Sequence, residues 1–437
     1  MTGRPPDPSS PRPPRPPRRL GSLIVDPAPL RLDRDFRLLW TGQAISTAGR
    51  MITAVVLPYQ VYVLTGDVLA VGALSLIQLL PILVFTLGGG AVADAVDRRR
   101  LLLLTQAGLT VTTLGLALLA LVPAPPVAGI FALAFVAAGL SAVDQPARAS
   151  AIPRLVPPER LQSAISLNQL VFNASAVVGP VIGGLILVWL SVSAAYLVDT
   201  ITYGAAILAL LLMRAIPPSP DAVRPSLAAV AEGLRFARRR RPVLGTFIVD
   251  LVAMVFGSPR SLFPAMALDV FKVGPVGLGL FSSAIAFGAM VGAFFTGWTT
   301  SVRRPGRAVL IAVAIWGLGI TGFGLFTFSF PLALLCLAIA AAADVVSAVL
   351  RSFMVQSLTP DALRGRVSSI HILVVTGGPR VGDAEAAAVA AIAGPAVSVV
   401  SGGLLTLLGV GMVALAMPEF AKLEMRAAQD EVELPGP

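Results

Sequence analysis

The chain has one cysteine and one histidine in 437 residues, and only 13% of its residues are charged. Cys336 lies inside an apolar run, so neither a disulfide nor a thiolate metal cluster can form. A lone histidine, His371, excludes paired-histidine metal sites. Gly88-Gly-Gly lacks the Gly-Lys-Ser/Thr that completes a nucleotide phosphate loop, so this chain supplies no ATP site. Gly-x-Ser-x-Gly and Cys-x-x-Cys are missing as well. No metal, no cofactor and no enzymatic activity are expected. A membrane-embedded enzyme such as an acyltransferase, or a receptor or scaffold, stands as the alternative of another class.

Apolar sequence is abundant: 56% of residues are hydrophobic, and mean hydropathy is +0.85. Runs long enough to cross a hydrocarbon core of roughly 30 Å recur from Trp40 to Pro418. Twelve are expected, near 38–63, 69–92, 101–121, 127–147, 163–188, 193–213, 243–263, 276–298, 308–328, 330–350, 367–391 and 396–417. The short alternating segments of a β-barrel are absent. The expected class is an all-α polytopic membrane protein.

Arginines cluster after every second run. Arg98 to Arg100 follow span 2; Arg148, Arg154 and Arg160 follow span 4; Arg235 and Arg238 to Arg241 lie between spans 6 and 7. Arg303, Arg304 and Arg307 follow span 8, and Arg351, Arg364 and Arg366 follow span 10. The positive-inside rule makes these loops, and with them both termini, cytoplasmic. The net charge of +10 is therefore a topology signal. No nucleic-acid partner is expected, because the arginines are dispersed without interleaved aromatics. The excess of arginine over lysine hints at a GC-rich bacterial genome, hence a bacterial inner (plasma) membrane.

Residues 1–37, with Pro and Arg alternating from Pro11 to Arg19, cannot pack a core and are expected to be a disordered cytoplasmic tail near anionic lipid. No apolar stretch precedes Trp40, so no cleavable signal peptide is expected. The remaining divisions are a six-span half at 38–213, a cytoplasmic linker at 214–242, a second half at 243–417 and a tail at 418–437. Ser226 to Arg241 could form a short basic surface helix. A monomer is expected.

The halves repeat one another. Leu155-Val-Pro157, leading into Ser166-Leu-Asn168, is answered 203 residues later by Leu358-Thr-Pro360, leading into Ser369-Ile-His371. Gly90 to Arg100 is answered by Gly297 to Arg307 at an offset of 207. Two six-helix halves related by a pseudo-twofold axis along the membrane normal would place a substrate site between them, near the midplane.

Gly90-Ala-Val-Ala-Asp94-Ala-Val-Asp97-Arg98-Arg99 resembles the loop signature of the major facilitator superfamily, with Ala95 and Asp97 where the pattern often has Arg and Gly. The resemblance implies that Asp94 helps latch the two halves on the cytoplasmic side. In span 5, Gly179-Pro180-Val-Ile-Gly183-Gly184 resembles the motif of antiporter members, with Ser175 in place of a glycine before it. Pro180 should bend the span, and the small residues should admit a neighbouring helix. Arg34-Asp-Phe-Arg-Leu-Leu-Trp40, Asp144-Gln-Pro146-Ala-Arg148 and Thr376 to Glu385 resemble one exporter branch, over roughly residues 30–420. That branch holds enterobactin (siderophore) exporters and macrolide and multidrug efflux pumps. The resemblance implies alternating-access export of a small organic molecule, siderophore-like or drug-like, in exchange for protons. A broad multidrug or macrolide pump without a siderophore role is the alternative.

Ionisable residues at membrane depth are costly and mark function. Arg50 lies about 18 Å into span 1 at 1.5 Å per residue, and Arg380 reaches a similar depth in span 11. Asp199, Asp250 and Asp344 fall in spans 6, 7 and 10. Asp144 is expected to pair structurally with Arg148. His371 is assigned local hydrogen bonding, with proton transfer as the alternative. The substrate- and proton-binding candidates are Arg50, Asp250, Arg380, Asp383 and Glu385. Arg50 and Asp250, at an offset of 200, are expected to face one another across the cavity. Arg380 and Asp383 share a helix face and are expected to pair, whereas Glu385 looks elsewhere and is expected to take up a proton.

Overall fold

A computed structural model describes residues 26–95, 97–216 and 234–424; side chains at 86–95, 300, 301, 361, 362, 364, 365 and 369 fall outside the description. Residues 1–25 of the expected tail, most of the linker and the far C-terminus lie outside the described residues. Among the described residues twelve long helices match the twelve runs: α1 Arg34–Thr65, α2 Val68–Ala95, α3 Arg98–Leu119, α4 Val127–Leu155, α5 Pro158–Trp189 and α6 Val192–Leu211. The second set is α7 Arg241–Phe256, α8 Gly274–Phe294, α9 Pro305–Leu325, α10 Phe330–Leu358, α11 Asp361–Ala393 and α12 Pro395–Ala416. No strand occurs among the described residues.

Ten helical segments among the described residues are long and apolar enough to cross a membrane on hydropathy alone. The two that fall short, α1 and α11, carry Arg50 on one and Arg380, Asp383 and Glu385 on the other. Apolar side chains such as Ile392 and Leu415 are 91% and 85% exposed, as lipid contact requires of a bundle with no water around it.

The packing repeats with the sequence. Within the first half α1 packs on α5 and α6, α3 on α4 and α6, and α2 on α4. Within the second, α7 packs on α11 and α12, α9 on α10 and α12, and α8 on α10. The halves meet along two equivalent seams, α5 on α8 and α2 on α11. This is the pseudo-twofold arrangement expected from the repeat.

Three expectations need correction. The expected disordered tail does not reach residue 37: Ala28–Leu32 is helical, α1 begins at Arg34, and Phe36 packs into the bundle at 1% exposure. Arg148 and Arg154 lie within α4, not in a loop; only Val156 and Pro157 separate α4 from α5. Arg148 is 7% exposed, so its periodic position packs into the bundle and extends the helix past the apolar run. Span 7 is also not one helix. It ends at Phe256, before Gly257-Ser258-Pro259, and continues as a 3-10 turn Arg260–Leu262 and a wide turn Met266–Val270. Pro259 lacks an N–H and restricts the residue before it, so the helix stops there. Five rings (Phe263, Phe271, Phe281, Phe323 and Phe330) pack with centroids 5.0 to 6.0 Å apart and hold this broken end against α8, α9 and α10.

Candidate functional site

A cavity of about 600 Å³ lies between the halves, walled by α1, α2, α5, α8, α11 and the broken end of α7. Its end away from the basic loops, termed the outer end, is closed by tight packing. A side-chain carbon on Gly184 of α5 would lie 2.6 Å from the Pro275 carbonyl oxygen of α8. Gly279 likewise presses on the Pro180 carbonyl. Tyr62, at the outer end of α1, donates a short hydrogen bond to Asp269 beyond α7. Only glycine allows backbones this near.

The polar wall comes from side chains of both halves. Asp383 accepts from Ser75 Oγ at 2.9 Å and from the Ser261 N–H at 3.0 Å, while Ser261 Oγ donates to the Asp383 carbonyl at 2.7 Å. Arg380 Nη1 donates to Gln78 Oε1. Arg260 is exposed into the same space, with no hydrogen bond or ion pair among the described residues. It acts electrostatically on Arg380 and Asp383. Opposite these groups lie Met51, Phe172, Phe263 and Leu278. The cavity therefore offers two guanidinium groups, one hydrogen-bonded carboxylate and a broad apolar face.

The structure divides the sequence candidates. Arg380 and Asp383 both line the cavity, but each has its own partner across the α2–α11 seam, and no ion pair joins them. The helix face was read correctly; neighbouring Gln78, Ser75 and Ser261 outcompete the i,i+3 pairing. Glu385 is half-buried and off the cavity wall, as its rotation about α11 requires. Arg50 and Asp250 do not face one another. Arg50 interacts with Asp199 of α6, which accepts from Thr53 at 2.5 Å and Thr202 at 3.2 Å. Asp250 points into its own half, where its Oδ1 is 2.8 Å from Arg351 Nη2. Depth along a helix was legible, whereas rotation about its axis was not.

The basic signature is placed in part. Gly90 and Asp94 lie where side chains are not described. Asp97 caps α3 by accepting from the Arg100 N–H at 2.9 Å. Arg98 is buried and donates through Nε to Ser150 Oγ of α4 at 3.0 Å. Arg99 donates to the Leu210 and Leu211 carbonyls at 2.7 and 2.8 Å, closing the end of α6. These contacts tie α3, α4 and α6 together within one half. The span 5 motif faces two ways: Gly179 and Gly183 admit α1, while Pro180 and Gly184 meet α8. Asp144 pairs with Arg148 at 2.6 Å, as expected.

Arg260 is the cavity residue that sequence reading missed. It lies inside the expected span 7, directly after Gly257-Ser258-Pro259, and that conjunction of a helix breaker with a charge at membrane depth was the available signal. Among the described residues no group of three or more His, Cys, Asp or Glu side chains could hold a metal ion.

Twelve helices in a repeated six-plus-six arrangement, closed around a central polar cavity, define a transporter of the major facilitator type. The chain belongs to the transmembrane secretion effector family, whose model matches residues 25–435. It is 27% identical over 409 residues to the enterobactin exporter EntS of Shigella boydii serotype 18, covering 93% of this chain and 98% of that protein. Among solved structures, a point mutant of the nucleoside transporter NupG aligns with TM-score 0.73 at 12% identity, over 88% of this chain and 100% of that one. A bacterial homologue of the iron transporter ferroportin, in an inward-facing state, aligns with TM-score 0.70 at 15% identity, over 90% and 100%. At these identities the two structures share the fold.

Proposed function

We propose that this multi-pass membrane transporter exports an anionic, amphipathic small molecule of siderophore-like chemistry by alternating access, in exchange for protons. The observation that carries the reading is Arg260, an unpaired guanidinium exposed in a cavity closed at its outer end, with Arg380 on the same polar wall. A planar guanidinium fork suits a carboxylate or catecholate, and the apolar face suits an aromatic body. The likeness to the Shigella relative, an enterobactin exporter, supports both the direction and the substrate class. With the basic loops cytoplasmic, sealing at the outer end corresponds to the state that loads substrate from inside the cell.

Arg260→Gln tests the reading, assayed with an anionic catecholate probe and a neutral lipophilic dye. A charge-assisted hydrogen bond contributes about 1.5–3 kcal/mol, so roughly 10- to 100-fold weaker apparent affinity is expected for the anion. The neutral dye should change little. Equal losses for both would remove Arg260 as an anion anchor. A second reading, broad drug efflux, draws on the apolar face of Met51, Phe172, Phe263 and Leu278. Efflux of cationic and neutral drugs that survives Arg260→Gln, with no catecholate flux by the wild type, would favour it.

A further inference from the structure

Arginines at matching places in the repeat have unlike surroundings. Arg148 of α4 and Arg351 of α10 are 203 residues apart, the offset of the repeat. Arg148 meets one carboxylate, Asp144, which also accepts from Thr105 at 2.8 Å and Gln106 at 2.9 Å. That group is neutral and its carboxylate is satisfied. At the position equivalent to Asp144 the second half has Ser347, which accepts from Arg351 Nη1 at 2.9 Å. The acids come from elsewhere. Asp250 Oδ1 of α7 and Asp344 Oδ1 of α10 lie 2.8 and 3.7 Å from the same Arg351 Nη2.

Two carboxylates thus share one guanidinium, and with both ionised the cluster carries one uncompensated negative charge inside the bundle. Asp250 is 1% exposed, and its contact with Arg351 is Coulombic, outside hydrogen-bond geometry. Neither Asp250 oxygen nor Arg351 Nε has a hydrogen-bond partner among the described residues. An unbalanced, unsatisfied buried charge is costly. One bound proton would neutralise the cluster and supply the missing O–H donor.

We propose that the Asp250–Arg351–Asp344 cluster is a proton-binding site, separate from the substrate cavity, and that it serves the exchange proposed above; the latter clause rests on that reading. The Asp344 side chain is 28% exposed against 2% for Asp250, so Asp344 is the entry point for the proton. Coupling runs through α7, which holds Asp250 before its break and Arg260 just past it. The other groups facing the cluster are His371 of α11, on which Arg351 acts, and Arg260, which acts on Asp344. Helices α8 and α12 have no titratable side chain, and α9 has only Arg307 in its first turn.

The tests use the full-length protein in lipid. Infrared difference spectra between acidic and alkaline pH should show a carboxylic-acid band in the wild type. Asp344→Asn should remove or shift that band, and His371→Gln should leave it. Asp344→Asn keeps the Asp250–Arg351 pair one-to-one, so the fold is preserved; Asp250→Asn/Arg351→Gln removes the buried pair together. In proteoliposomes, Asp344→Asn should lower catecholate flux driven by a pH gradient by about tenfold or more, with gradient-free exchange kept within about twofold. A band unchanged in both variants, or moved only by His371→Gln, would overturn the proton site. A band that Asp344→Asn removes, with no gradient-driven flux in the wild type, would uphold the site and overturn the exchange reading.

Discussion

Arg50 lies on α1 next to Gly49, whose missing side chain leaves room for Asp199 and Thr202 of α6. A methyl group at Gly49 would lie 2.6 Å from Asp199 Oδ1, so the acid is held against the helix that carries the arginine. Asp199 is 0% exposed and accepts a hydrogen bond from Thr53 at 2.5 Å, which joins two helices of one half beside Arg50. Arg260 has the same functional group but is exposed in the cavity, where the nearby Asp383 is already bonded to Ser75 and Ser261. The two arginines should therefore fail differently when neutralised. Arg50→Gln should leave catecholate affinity within about twofold of wild type, yet lower the thermal midpoint by about 1–2 °C, the shift that about 1–2 kcal/mol produces in a chain of this length. Scanning fluorimetry beside a binding isotherm checks this. An affinity loss as large as that of Arg260→Gln would return Arg50 to the cavity.

At the scale of elements, the number and order of the helices were legible because each apolar run is bounded by charge, Gly or Pro. Arg380 and Asp383 were legible for a related reason, since charge inside such a run has few structural excuses. The break in α7 was not read, although Gly257, Pro259 and Pro264 all lie at its end, because neighbouring Leu262 and Phe263 keep the run apolar. Nor could hydropathy say which side of α1 carries Arg50 or which way Asp250 turns, since both helices are packed on several faces. Small residues at a seam were legible as a motif, and the structure gives them a task. Gly184 lets α5 close on α8, with Pro275 and Val276 backbone atoms 2.6 and 3.0 Å from where a methyl would sit. Backbone cannot swing aside as a side chain can. Overpacking of this kind costs typically about 1–3 kcal/mol, and under the proposed alternating access the cost falls on the state in which α5 and α8 are closed together. Gly184→Ala should shift the population toward the outward-open state by roughly 5- to 100-fold. The check is labelling of Gln78→Cys by an impermeant thiol reagent from outside, with Cys336→Ser as background. Unchanged labelling would mean that α5 and α8 do not separate during transport.

For the whole molecule, the repeat makes the two seams equivalent in packing, but their polar contacts differ. The α2–α11 seam carries Ser75 on Asp383 and Arg380 on Gln78. The α5–α8 seam carries a hydrogen bond from Ser283 to the Val177 carbonyl at 2.5 Å. Between them, at the outer rim, Tyr62 reaches Asp269 in the irregular turn beyond α7. That turn ends at Lys272, whose φ of 56° is a conformation a side-chain-bearing residue rarely adopts. A single wide turn, closed by bonds such as Phe271 N–H to the Met266 carbonyl at 2.8 Å, moves more readily than the interior of α1, so opening should begin by losing the Tyr62 contact. Tyr62→Phe removes the hydroxyl and keeps the ring. At an exposed rim the hydrogen bond contributes about 1 kcal/mol, and its loss should raise outward-open accessibility of Gln78→Cys about fivefold. Where opening at the outer face limits turnover, flux should rise as well. Asp269→Asn should have a smaller effect, because its amide oxygen still accepts from the tyrosine. A Tyr62→Phe protein with wild-type accessibility and flux would show that glycine packing alone, at Gly184 and Gly279, holds the outer end shut.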